Sequence, residues 1–300
     1  MNLLSLWQRA RRKAPDLPDA QRADRLLFSL FLLAWAVEAR APYTGGHLWR
    51  VARLSRLLAE TAGLAPQEVC RITIGAFLHD LGKIGIPDAV LGKKGKLDDD
   101  EYAVIKTHPE IGLRMLAGHP LAALAQDAVL LHHETPDGRG YPYGRRGDDI
   151  PLVARIVGIC DAFDAMTSTR PYRTGMPVAR AIEIIESELG RQFDARLGQL
   201  FVGLARHPEL AHIVGHSDAG IPLERCAACG PIVVRPRSAK PGDTLYCPAC
   251  HSEYTIASTS TGLLATGKRN TARALAAPPD TDLIERVVGE CLPGMDHCSV

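Results

Sequence analysis

The chain has 300 residues, 46% of them hydrophobic, enough for one large domain plus a small appendage around an ordinary globular core, which excludes disorder throughout. Thirty-five Lys and Arg stand against thirty-four Asp and Glu, a net charge of +1. Bulk charge therefore singles out neither nucleic acid nor an anionic membrane as a partner, and any anion site must be local.

Residues 1–22 read as an N-terminal arm. Its few apolar residues precede the basic group Arg9, Arg11, Arg12 and Lys13, the reverse of a secretory signal, so a cytoplasmic protein is expected. A membrane-surface helix is not inferred from so short a stretch. The apolar run Leu26 to Val37, broken by Ser29, is 12 residues long and bracketed by charges. A spanning helix needs roughly 20, so a buried core helix is predicted.

From about Ala23 to His207 apolar residues recur at helical spacing, as in Val51, Leu54, Leu57, Leu58 and in Ile182, Ile185, Leu189. Helix-start signals agree: Pro66 with Glu68, Asp98 with Glu101, Pro109 with Glu110, then Pro151 and Pro177. The expected fold of this region is an all-α helical bundle. Residues 134–150 carry four Gly and two Pro, which breaks any helix and marks a loop.

Potential metal ligands fall at His47, His79, Asp80, His108, His132, His133 and Asp161, in groups 24 to 32 residues apart, about one per helix or helix end. Antiparallel helices can aim such groups at one point. Imidazole suits iron, manganese, zinc or nickel, and a carboxylate can give one oxygen to each of two ions, so Asp80 reads as a bridge beside the terminal ligand His79. Paired ions roughly 3.5–4 Å apart are a recurrent device for phosphoester cleavage. Lys83, three residues after Asp80, could hold a phosphate oxygen. Any one of these histidines alone would more often be structural; seven ligand types in order, with that lysine, are hard to explain so.

The blocks Tyr-Thr-Gly-Gly-His (43–47), His-Asp-Leu-Gly-Lys (79–83), His-Pro (108–109), His-His-Glu-x-x-Asp-Gly-x-Gly-Tyr-Pro (132–142) and Asp-Ala-Phe-Asp-Ala-Met-Thr-Ser-x-Arg-Pro-Tyr-Arg (161–173) resemble HD-GYP domains. These are a branch of the HD phosphohydrolase superfamily, and the likeness spans about Ala23 to Ala205. The resemblance implies an HD-type helical bundle, an iron or manganese centre and hydrolysis of cyclic di-GMP to pGpG, GMP or both. It gives one metal His47, His79, Asp80 and Asp161, the other Asp80, His108, His132 and His133, with a bridging hydroxide as nucleophile. It places Lys83 on the scissile phosphate, Arg170 and Arg173 on phosphate or guanine, and Gly140, Tyr141 and Pro142 in the substrate loop. The two arginines read otherwise as a solvated surface pair. Gly140 is expected where the backbone approaches a ligand or takes positive φ; Pro142 stiffens the residues after it. Glu134 and Asp137 either orient ligating histidines or cap the loop. Members with three metals carry Glu four residues before the first His; this chain has Tyr43 there, so two metals are expected and the end product stays open.

Residues 222–258 read as a β-rich module. Cys226 and Cys229, then Cys247 and Cys250, form two Cys-x-x-Cys pairs separated by 17 residues, the spacing of a structural zinc site in a zinc ribbon. His251 is surplus to the four thiolates. The module is read as a surface for partner docking or regulation; Arg235, Arg237 and Lys240 read as solvated charges rather than a nucleic-acid contact. Cys70 and Cys160 read as buried thiols. Residues 259–300 are expected to be a flexible tail with a short helix over Leu283 to Gly289.

The leading functional expectation is thus a cyclic-di-GMP phosphodiesterase. Two alternatives stand beside it: an HD-type phosphohydrolase for another cyclic dinucleotide or a nucleotide, and an adaptor that binds cyclic di-GMP without turnover.

Overall fold

The structure is a computed structural model that describes residues 19–40, 45–93, 95–169, 173–258, 262–276 and 279–295. The basic group at 9–13, Tyr43 and Arg170 lie outside them. The helical part comprises α1 (Asp19–Arg40), α2 (His47–Thr61), α3 (Pro66–Leu78), α4 (Asp88–Leu91), α5 (Asp99–Ile105), α6 (His108–Leu116), α7 (Ala122–Leu131), α8 (Leu152–Thr167), α9 (Val178–Ser187), α10 (Ala195–Gly203) and α11 (Pro208–Ile213).

The local signals act as their chemistry requires. Pro66 opens α3, and Asp98 caps α5 by accepting from Glu101 N at 2.9 Å while the Glu101 carboxylate accepts from Asp98 N at 2.9 Å. Apolar stripes on α1, α2, α3, α7 and α8 meet in one core that includes Phe31, Leu54, Leu58, Phe77, Val129 and Phe163. α1 buries Leu27, Leu30, Phe31, Ala34 and Val37 along one side and leaves Leu33 exposed, so it lies on the bundle's surface rather than at its centre. No helix among the described residues is long and apolar enough to cross a membrane.

α3 ends at Leu78, and a 3-10 turn, Leu81–Gly85, comes next. Lys83 is therefore not on a continuing α-helix, yet the tighter turn still brings its Nζ to 2.5 Å from Asp80 Oδ2. The turn crosses α6 backbone to backbone at Gly82. A Cβ there would lie 1.8 Å from the His108 carbonyl oxygen and 2.5 Å from Gly112 N. Neither obstacle is a flexible side chain, so Gly82→Ala is expected to cost about 1–3 kcal/mol, read as a lower urea midpoint with unchanged slope.

After α11 the chain forms two hairpins, β1 (His216–Asp218) with β2 (Ile221–Pro222) and β3 (Glu224–Cys226) with β4 (Gly230–Val233). A three-stranded antiparallel sheet is next, in the order β5 (Thr244–Tyr246), β6 (Ser252–Ile256), β7 (Leu263–Arg269). Then come α12 (Thr271–Leu275) and α13 (Thr281–Met295).

The structure corrects the expectation of a flexible tail from 259. β7 continues the sheet past residue 258, and it was hidden because it is an edge strand with little apolar alternation and mostly exposed side chains. The helix predicted over Leu283 to Gly289 is longer, and Leu283, Ile284, Val287, Val288 and Cys291 bury one stripe against α1 and α3. Cys70 Sγ donates to the Cys291 carbonyl at 2.9 Å, joining α3 to this last helix.

Candidate metal centre

The helix ends converge. His47 is the first residue of α2, His79 follows α3, Asp80 precedes the 3-10 turn, His108 opens α6, His132 and His133 follow α7, and Asp161 projects from α8. Except for Asp161, which lies within α8, each sits at or beside a helix end. Four imidazoles are fixed the same way: Nδ1 of His79, His108 and His132 lies 2.7, 2.8 and 2.8 Å from the carbonyls of Ala76, Ile105 and Ala128, and His47 Nδ1 lies 2.7 Å from Asp164 Oδ2. With Nδ1 engaged as donor, each Nε2 is free to ligate.

Asp80 sits between two ligand sets. Its Oδ2 lies 3.6 Å from His47 Nε2 and 3.4 Å from His79 Nε2, and its Oδ1 lies 3.5 Å from His108 Nε2. Asp161 Oδ1 joins the first set at 3.5 Å from His47 and 3.7 Å from His79. On the other side His108 Nε2 and His132 Nε2 are 3.4 Å apart, and His133 completes a cluster with them. These separations suit atoms that share an ion at metal–ligand distances of roughly 2.0–2.2 Å. His79 Nε2 and Asp80 Oδ1 are buried with no hydrogen-bond partner, as expected of atoms awaiting a cation. The donor set therefore fits divalent metals.

The protonation states divide along the same line. Burial presses His108 down to about 4 and His133 to about 3, and holds His132 well below the usual imidazole value, so these three keep their lone pairs at neutral pH. Burial also opposes charge on His79, but Asp80 and Asp161 lift it to about 10. Burial works against ionised Asp80 as well, yet Lys83 and His79 hold it well below the carboxylate range. A metal entering on that side displaces protons.

Behind the ligands stands a layer that the sequence reading did not assign. Asp164 receives Arg50 Nε at 2.5 Å and touches His47 Nδ1; Arg50 also donates to the carbonyls of Gly45 and His216, each at 2.9 Å. Glu38 accepts from the backbone amides of Gly46 and Leu48, closing the N-terminus of α2 where His47 begins. Asp164 follows Asp161 at i+3 and Arg50 follows His47 at i+3, so helical spacing could have found both. Glu38 leaves no such local sign.

In the glycine-rich loop, Glu134 accepts from Tyr143 N at 2.7 Å and Arg145 N at 2.9 Å, and Asp137 accepts from Thr135 Oγ1 and Arg139 N. Both carboxylates cap the loop; neither is seen holding a histidine. Gly140 does meet close backbone, but its neighbours are His133 O and Thr135 N, each 2.4 Å from where a Cβ would sit. Tyr141, joined to Pro142 by a cis peptide bond, stacks on His133 with ring centroids 4.6 Å apart. Arg173 is exposed and donates to the Ala165 carbonyl. A cavity of about 180 Å³ opens beside His132, His133 and Asp161 and runs to Gln192 and Phe193.

In the C-terminal module the sulfurs of Cys226, Cys229, Cys247 and Cys250 lie within 4.8 Å of one another, with Cys226 and Cys250 3.5 Å apart. Tyr254 Oη donates to Cys226 Sγ at 3.1 Å, and Cys250 shares a 3.2 Å hydrogen bond with Ser252. That donor set fits a tetrahedral zinc ion. His251 turns away to Thr271 at 3.0 Å.

The sequence profile of the HD domain family matches residues 32–197, more than half of the chain. A cyclic di-GMP phosphodiesterase response regulator of Xanthomonas campestris is 42% identical over 195 residues, 64% of this chain and 50% of the relative. A cyclic di-GMP phosphodiesterase of Thermotoga maritima is 39% identical over 185 residues, 61% and 50%. A 3′3′-cGAMP-specific phosphodiesterase of Vibrio cholerae is 40% identical over 175 residues, 58% and 34%. The chain thus spans half or less of the length of these curated relatives.

Proposed function

The chain belongs to the HD domain family, and on that premise we propose that it is a metal-dependent phosphodiesterase hydrolysing cyclic di-GMP to pGpG, GMP or both. The observation that carries this reading is Asp80, whose two oxygens face two separate sets of imidazoles while buried atoms of His79 and Asp80 have no other partner. Two divalent ions, iron or manganese, would supply an acidified water and neutralise charge on the phosphodiester.

His47, His79 and Asp161 would hold one ion, His108, His132 and His133 the other, and Asp80 both. Lys83, beside Asp80, would offer its ammonium to a phosphate oxygen. Tyr141 stacks on His133 and would form one wall of the approach. Arg170 and Arg173 follow α8 and would hold phosphate or the guanine edge, with Gly140 and Pro142 shaping the loop opposite. The four cysteines would hold a structural zinc.

The likeness to a 3′3′-cGAMP-specific relative favours one second reading, in which a mixed cyclic dinucleotide is the substrate. An adaptor without turnover is less favoured, since every expected metal ligand is brought to the centre. The test is anaerobic purification, measurement of iron, manganese and zinc, and chromatography of cyclic di-GMP and 3′3′-cGAMP incubated with the chain. Appearance of pGpG or GMP supports the proposal and fixes the end product. Binding without cleavage by metal-replete protein would favour the adaptor; cleavage of cGAMP alone would favour the second reading.

Within that assay Tyr141→Ala is expected to raise KM about ten-fold while lowering kcat less. It removes a wall and a stacked ring, not a ligand.

A further inference from the structure

The cysteine module does not stand apart from the metal centre. The segment that enters α2, Gly45–Gly46, is covered by the module's first hairpin and by the strand before it. A Cβ on Gly45 would lie 2.8 Å from Val234 Cγ2 and 3.2 Å from the Ile232 carbonyl oxygen. Gly46 has φ +74°, and a Cβ there would lie 2.6 Å from Ser217 Cα. The next residue is the ligand His47. A second contact reaches the other side of the site: a Cβ on Gly230, the residue after Cys229, would lie 3.2 Å from the Thr169 methyl. Thr169 Oγ1 in turn accepts from Gly175 N at 3.2 Å, so the hairpin touches the loop that carries Arg173.

Polar links run through the same junction. Arg50, 2% exposed, donates at once to Asp164, to the Gly45 carbonyl and to the His216 carbonyl. One guanidinium thus joins the partner of His47, the turn before His47 and the start of β1. Two residues on, Asp218, 3% exposed, accepts from Arg237 of the module and Arg286 of α13. A module that merely trailed from the bundle would not need glycine at both contact points, nor a buried guanidinium bonded to the His216 carbonyl on one flank and a buried carboxylate, Asp218, bonded to Arg237 and Arg286 on the other.

We infer that the four-cysteine module is a positioning element of the metal centre, holding through Ile232 and Val234 the Gly45–Gly46 turn that presents His47, and through Gly230 the Thr169 segment. The inference rests on the metal-centre reading above and concerns its His47 side. A hairpin as short as β3 with β4 has too small a core to keep its shape alone, so the cysteine-bound ion is what would fix it. Zinc at the cysteines then sets how firmly a different ion is held at His47, His79 and Asp161. Groups that support a ligand from behind commonly change metal affinity about 10–100-fold.

The test uses the full chain, with Mn²⁺ titrations followed by electron paramagnetic resonance and zinc counted separately with a chromophoric chelator. Val234→Asp places a carboxylate against Gly45 and leaves all four cysteines. It is expected to keep one zinc per chain and weaken one of two Mn²⁺ steps about ten-fold or more, leaving the other unchanged. Cys226→Ser/Cys229→Ser should lose the zinc and weaken the same step. Amide hydrogen exchange should rise at residues 45–50 and 162–169 in both variants and stay constant in α7. Two Mn²⁺ steps of wild-type affinity in both variants, with unchanged exchange at 45–50, would overturn the inference. Loss of both steps together in Val234→Asp, with helical circular dichroism reduced, would also overturn it, because the module would then support the whole bundle. Should wild type bind two Mn²⁺ but cleave no cyclic dinucleotide, the substrate assignment fails and this inference stands.

Discussion

On the proposed di-metal reading, Asp80→Ala is expected to lower hydrolysis of cyclic di-GMP by about 10⁴-fold or more, and to leave the centre unable to hold two ions. The magnitude is that of removing a group on which the whole constellation depends. Asp80 is the one ligand whose two oxygens face both imidazole sets, at 3.4 Å from His79 and 3.5 Å from His108. Its loss also removes the carboxylate that lies 2.5 Å from the Lys83 ammonium. Lys83→Ala, in contrast, should keep both ions and lose about 10²-fold in kcat, the scale of one electrostatic contact to the reacting phosphate. Metal content and single-turnover rates measured on the two variants separate the roles. An Asp80→Ala protein that retained two ions per chain and wild-type turnover would remove Asp80 from the bridging position.

The cluster was legible because each member is chemically distinctive and recurs at helix-length intervals, and His47, His79, Asp80, His108, His132, His133 and Asp161 fall into groups that could hold metal. The helix starts at Pro66, Asp98 and Pro177 were legible for the same reason, since a cap is a local interaction. What escaped was non-local. Glu38 reaches the start of α2 across a turn, and nothing near it in sequence marks that contact. Asp164 stands one helical turn from Asp161, but its partners Arg50 and His47 lie more than 110 residues away in sequence. α13 was underestimated because a composition rich in Ala, Pro and Thr before it suggested a loose tail, whereas its Leu283, Ile284, Val287, Val288 stripe had a partner surface on α1 and α3. The docking of the cysteine module depends on two glycines, Gly45 and Gly46, that the sequence offers only as part of a motif.

Replacing Asp164 tests how far that hidden layer supports the site. Asp164→Ala leaves the guanidinium of Arg50 buried without a carboxylate, and breaking one side of a buried ion pair costs about 3–5 kcal/mol. Set against a typical total of about 5–15 kcal/mol, that is a large share. His47 loses its Nδ1 partner in the same step, so metal affinity on that side should fall about ten-fold or more even where the fold survives. Asp164→Asn keeps the volume and one acceptor, and should lie between wild type and Asp164→Ala in urea midpoint. The pH dependence carries the sign. Burial works against the ionised form, but Arg50 and His47 hold the Asp164 carboxyl below its ordinary range. A depressed carboxylate stabilises the fold above the unfolded value of about 3.9, and that contribution is lost as pH falls further. Wild-type stability should therefore drop more steeply below pH ~4 than that of Asp164→Asn, whose side chain takes up no proton. Parallel acid transitions in the two proteins would show that Asp164 does not carry the pair, and that Arg50 is held instead by the carbonyls of Gly45 and His216.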